Sequence, residues 1–64
     1  MHNLIFLPIF LSPQETADAV ALSIDTIRRQ EMNGEFPRRR KISTGRYAYL
    51  YKEVLAWAEQ RELA

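Results

Sequence analysis

Leu22-Ser23-Ile24-Asp25-Thr26-Ile27-Arg28-Arg29-Gln30-Glu31-Met32-Asn33-Gly34 is the stretch on which the fold turns. It predicts a single helix. Ser23 is a good N-cap, because its side chain can satisfy an amide that the first turn leaves without a partner. Asp25 falls in that turn, where the unpaired amides carry partial positive charge. Gly34 stops the helix. About eleven residues at 1.5 Å each span roughly 16 Å, enough to lie across a DNA major groove. A helix of this length also suits an ordinary small core, so its neighbours decide its use.

Upstream, Ser12-Pro13-Gln14-Glu15 is a strong helix start. Ser12 can cap the amide three residues on, Glu15 can reach back to the cap, and Pro13 fits the first helical position. Leu11 and Thr16 make at most a weak hydrophobic staple. The helix is expected over Pro13 to Val20, with Ala17, Val20 and Ala21 facing inward, and a short turn near Ala21-Leu22 leads to Ser23. Two short helices so joined are a helix-turn-helix candidate. Residues 1–11 form a separate apolar arm, with Leu4-Ile5-Phe6-Leu7-Pro8-Ile9-Phe10-Leu11 nearly all hydrophobic. The arm is too short to span a bilayer and lacks the basic start and cleavage site of a signal peptide. It reads as an extended segment laid on the core or as an apolar surface for a second copy. His2, near the terminus, is given no chemistry.

Downstream, Pro37 ends helical geometry and restricts Phe36 to extended backbone. Arg38 to Ile42 then reads as a strand, Ser43-Thr44-Gly45-Arg46 as a turn with Gly45 at positive φ, and Tyr47 to Leu50 as the returning strand. Alternation puts Tyr47, Tyr49 and Tyr51 on one face. Lys52 to Glu62 carries Val54, Leu55, Trp57 and Ala58 at helical spacing and should close the core. Residues 12–64 thus run helix, turn, helix, two-stranded hairpin, helix. This is an α+β fold, mainly α: a compact winged helix-turn-helix with the hairpin as wing.

At 64 residues the chain is one small domain with a marginal core. It has no cysteine, so disulfides and thiolate metal sites are excluded, and the cytoplasm is the expected compartment. Net charge is only +1, but its distribution is uneven. Arg28 to Arg46 holds seven bases and two acids, a local charge of +5, while the remaining two bases and six acids give −4. Such asymmetry suits a polyanion at one end of the molecule, or marks a solvated charged loop.

Phe10-Leu11-Ser12-Pro13, Ala17, Leu22-Ser23, Asp25-Thr26-Ile27-Arg28-Arg29, Gly34-Glu35-Phe36-Pro37 and Glu53-Val54-Leu55-Ala56-Trp57 together resemble the AlpA-type prophage regulators and phage excisionases, small relatives of the MerR-type DNA-binding domain. The similarity covers roughly Leu11 to Arg61. The Gly-x-Phe-Pro step and the Glu-Val-x-Ala-Trp helix are its most specific parts. The resemblance implies a recognition helix in the major groove and a wing reaching an adjacent minor groove. The chain departs from the pattern in its rich apolar arm and at two internal places. Ala21 stands where the turn usually carries glycine. Gln30 and Glu31 stand where bulky apolar residues are common, so the second half of the recognition helix should be held loosely.

With Ile27 inward, Asp25, Arg28, Arg29 and Met32 lie toward the outer side. Arg29 is the leading candidate for a base-edge or close phosphate contact, and Arg28 for a phosphate or base, because the planar guanidinium matches both. The bland alternative is two solvated arginines balancing Asp25 and Glu31. Thr26 can donate to a phosphate or fill the first turn, and Asn33 is a helix-end residue or a base reader. Arg38, Arg39, Arg40 and Lys41 alternate faces on a strand, so two should approach the DNA backbone and two should be solvated or paired with acids. Arg46 beside Gly45 suits a narrow minor groove, with Ser43 and Thr44 as phosphate supports or plain turn residues. Trp57, Tyr49 and Phe36 are expected in the core rather than in a base-stacking platform.

The expected function is binding of double-stranded DNA, as an excisionase or a small transcriptional regulator, with an integrase or further copies of the chain as partners. The alternative is a protein-interaction module that inhibits or recruits a regulator through the apolar arm. With a single histidine, no cysteine, no carboxylate cluster and no glycine-rich phosphate loop, no catalytic or metal constellation can be assembled, so neither enzyme activity nor a cofactor is expected.

Overall fold

The structure is a computed structural model and describes residues 7–64. Expectations that fall on residues 1–6, His2 and Leu4 to Phe6 among them, lie outside it. Three helices, α1 (Pro13–Val20), α2 (Ile24–Met32) and α3 (Tyr51–Glu59), combine with strands β1 (Phe10–Leu11), β2 (Arg40–Ser43) and β3 (Arg46–Leu50). The sheet is antiparallel in the order β1-β3-β2. This is a small α+β arrangement, consistent with a winged-helix-like fold.

The sheet is the first departure from expectation. A two-stranded hairpin is joined by β1, which sets Phe10 opposite Leu50 and Leu11 opposite Tyr49. The end of the apolar arm is thus an extended segment hydrogen-bonded along the edge of the hairpin. Tyr51 does not share the face of Tyr47 and Tyr49. It begins α3, and its N–H donates to the Ile9 carbonyl at 2.8 Å. β2 starts at Arg40, two residues later than expected, and a register shift between Lys41 and Ser43 precedes the Thr44-Gly45 turn, where Gly45 has φ +72°.

Both helix starts form as their residues dictate. The Ser12 hydroxyl accepts from the Glu15 N–H at 3.1 Å, and the Glu15 carboxylate accepts from the Ser12 N–H at 2.8 Å. Ser23 caps α2 through the Thr26 N–H at 3.1 Å. Thr16, the one fully buried polar residue among those described, donates its hydroxyl to the Ser12 carbonyl at 2.8 Å. It takes the inward place expected of Ala21, which is exposed. On α3 the inward face is narrower than the spacing suggests. Val54 is buried and Trp57 partly so, while Leu55 and Ala58 face outward.

The core is Ala17, Ile27, Phe36, Tyr49 and Val54, with Val20, Leu22, Ile24 and Trp57 around it. Phe36 is its hinge. Its ring meets Tyr49 edge-on at 5.5 Å and Trp57 at 4.8 Å, joining α2's exit, the sheet and α3. The Trp57 indole N–H donates to the Glu35 carbonyl at 2.8 Å, so the aromatic's polar end is satisfied as well.

α1 and α2 end by the same device with different residues. After α2, Gly34 lies at φ +76°, its N–H donates to the Glu31 carbonyl at 3.1 Å, and the Glu35 N–H reaches the Gln30 carbonyl at 2.7 Å. That pair of bonds is a Schellman closure. After α1, Ala21 takes the left-handed position at φ +62°, and the Leu22 N–H reaches the Ala17 carbonyl at 3.1 Å. An L-residue with a Cβ is strained there by about 1 kcal/mol. Ala21→Gly should therefore raise stability by about 1 kcal/mol, and Gly34→Ala should lower it by a similar amount. Thermal melts should show shifts of roughly 4–8 °C in opposite directions. A fall in melting temperature for Ala21→Gly would refute strain at the first turn.

Candidate nucleic-acid interface

Ile27 is buried at the centre of α2, which leaves Asp25, Arg28, Arg29 and Met32 exposed on its outer side. Thr26 is half-buried within the cap. Its oxygen accepts from the Ser23 hydroxyl at 2.9 Å and from an Arg29 terminal amino group at 3.4 Å. Its own proton remains available to a phosphate. Arg29 is thus lightly steered toward the start of the helix.

The carboxylate of Glu31 joins α2 to the hairpin. Its side chain is only 11 % exposed. One oxygen accepts from the Tyr49 hydroxyl at 2.6 Å and the other from the Arg39 backbone N–H at 3.0 Å, with Arg39 Nε 3.7 Å away. The second half of α2 is therefore fastened, not loose. A polar residue replaces apolar packing with a charge-assisted hydrogen bond, and no buried side-chain polar atom among the described residues is left without a partner.

This fastening creates a groove lined by Arg28, Glu31, Met32, Arg38, Arg39 and Tyr47. Arg28 from α2 and Arg38 and Arg39 from the segment before β2 share one surface. The Arg39 guanidinium lies over the Tyr47 ring, 5.4 Å from its centroid. Lys41 is the cross-strand partner of Tyr47, which places it at the groove's hairpin side. Arg40 points elsewhere. It is opposite buried Ala48 and donates to Glu53 of α3 at 2.6 Å, and that ion pair raises its pKa above the ordinary arginine value. Arg39 and Arg40 are thus the two acid-paired members of the run. Arg28, Arg29, Arg38, Lys41 and Arg46 have no acidic partner among the described residues. Thr44 and Arg46 are exposed at the hairpin turn, away from the groove-lining set.

The bond between Glu31 and the core residue Tyr49 is the feature of this surface that sequence reasoning missed. A carboxylate on a helix beside arginines looks like a solvated balancing charge. Only the tertiary approach of Tyr49, eighteen positions away, reveals its role. Comparison of the chain with protein-family models, with curated proteins and with solved structures gives no match. No described helix is long and apolar enough to cross a membrane.

Burial, followed by the hydrogen bond to the Glu31 carboxylate and its charge, pushes the Tyr49 hydroxyl up to about 12 from an ordinary value of 10.0. The neutral phenol is thus favoured in the folded chain. This contribution is complete below pH 10 and is lost as pH rises toward 12, because the unfolded chain releases its proton first. Tyr49→Phe should lower stability by about 1–3 kcal/mol at neutral pH by leaving a carboxylate oxygen without its donor. Denaturant melts should also show the gap between wild type and Tyr49→Phe narrowing across that alkaline window; a constant gap would contradict the assignment.

Proposed function

We propose that this chain binds double-stranded DNA through a winged helix-turn-helix, with α1 and α2 as the two helices and the β2–β3 hairpin as the wing. α2 enters the major groove and the hairpin turn, with Arg46, approaches an adjacent minor groove. The observation that carries this reading is the meeting of Arg28 with Arg38 and Arg39 in one groove between helix and hairpin. The one acid lining that groove, Glu31, is already engaged by Tyr49 and Arg39.

The resemblance of the sequence to AlpA-type regulators and excisionases supports a role in prophage control. There, a small protein binds sites beside an attachment region or promoter and acts through its effect on the duplex. No catalytic residue or cofactor takes part in this reading. A domain of this size makes few base contacts, so an integrase or further copies on adjacent sites would supply the remaining specificity. Exposed Leu7 and Ile9, at 68 % and 71 %, offer an apolar surface for either.

Five basic side chains without acidic partners correspond to about five neutralised phosphates. The log–log dependence of affinity on salt should therefore have a slope near −4.5. Arg38→Ala should make that slope shallower by about one, with affinity falling uniformly across sequences. Fluorescence anisotropy with duplex DNA over a range of salt concentrations measures both. A slope near zero would overturn the proposal. Tight binding to a protein partner with none to DNA would instead favour an interaction module acting through the arm.

A further inference from the structure

We propose that Arg39 reads the edge of a guanine base, and that Glu31 and Tyr47 fix its guanidinium for that task. The inference rests on the duplex-DNA reading above and adds to it the base that the surface selects.

Among the seven bases from Arg28 to Arg46, Arg39 is the one held from two directions. Its Nε lies 3.7 Å from a Glu31 oxygen and its guanidinium face covers Tyr47 at 5.4 Å. The same Glu31 oxygen accepts from the Arg39 backbone N–H at 3.0 Å, so the carboxylate holds the main chain by a hydrogen bond and attracts the side chain by charge. The contact to Glu31 is through Nε, and both terminal amino groups have no partner among the described residues. Arg40 differs on this point, since one of its terminal amino groups is taken by Glu53.

A planar fork with two free donors matches two kinds of ligand, a phosphate and the paired N7 and O6 acceptors of guanine. The neighbouring carboxylate separates them. Glu31 is largely shielded from solvent, so its negative charge offsets that of Arg39 and opposes an approaching phosphate. Guanine's edge carries no net charge and suffers far less. The geometry of the fork survives while its pull on the backbone is reduced. Ordering by Glu31 and Tyr47 also removes rotamer freedom before binding, which favours a directional contact. Because Glu31 belongs to α2, Arg39 accompanies that helix into the major groove, the side on which N7 and O6 are displayed.

Selection from a duplex library with a randomised central segment, followed by salt titration on the selected duplex, tests the assignment. For wild type, one guanine position should be strongly preferred. Arg39→Ala should lose that preference by about tenfold to a hundredfold while the salt slope changes by well under one. Arg39→Lys keeps the charge without the fork and should show the same loss, which guards against misfolding of the alanine variant. Glu31→Gln should weaken the preference and steepen the slope by up to about one, because Arg39 regains its attraction for phosphate. A purely structural role for Glu31 would not steepen the slope. If Arg39→Ala makes the slope shallower by about one and leaves base preference intact, Arg39 is a phosphate contact and the inference fails, while the DNA reading stands. If wild type binds no duplex at all, both fall.

Discussion

The Glu31 carboxylate is the constraint on which the rest of this small structure depends. It receives the hydroxyl of the most buried tyrosine and the backbone of the arginine run, so it sets the angle between α2 and the hairpin. Few apolar residues are available for that task in a domain of this size. A polar tie of this kind is directional where a leucine contact is not. It holds two elements in a particular register and fails sharply when either partner is missing.

Around that tie the aromatic core does the complementary work. Phe36 touches Tyr49 on one side and Trp57 on the other, so the segment leaving α2 is clamped between the sheet and α3. Arg61 then covers the outer face of Trp57, its guanidinium 4.4 Å from the ring centroid. The acid–base pairs divide the basic run by strand alternation. Arg40 turns to α3, Arg39 turns to α2, and the charges without acidic partners lie on either side of them. The net charge of +1 conceals this arrangement, because six of the eight acids lie outside Arg28–Arg46 and, of the two within it, Glu31 is tied to Tyr49 and Arg39.

Local signals in the sequence were good guides wherever a single residue type has one conformational job. Ser12 and Ser23 cap, Gly34 and Gly45 take positive φ, and Ile27 points inward. Signals failed where the outcome depends on a distant partner. β1 is two residues long inside an apolar run, too short to show any alternation, and exists only because β3 offers it an edge. Tyr51 looked like strand because its propensity is strand-like, yet it opens a helix whose first residue is tied to Ile9. Glu31 was legible as a departure from a familiar pattern but not as a hydrogen-bond hub. Ala21 shows the reverse case: the resemblance expects glycine, and the backbone adopts the glycine-like conformation despite the Cβ.

The pairing of Phe10 with Leu50 closes a loop of some forty residues. During synthesis, β1 has no strand to pair with until β3 has left the ribosome, and Tyr49 is not there to donate to Glu31 until the same moment. The groove between helix and hairpin is consequently a late product of folding. Nascent or truncated chains that end before the hairpin carry the arginines of α2 but not the groove in which Arg28 meets Arg38 and Arg39.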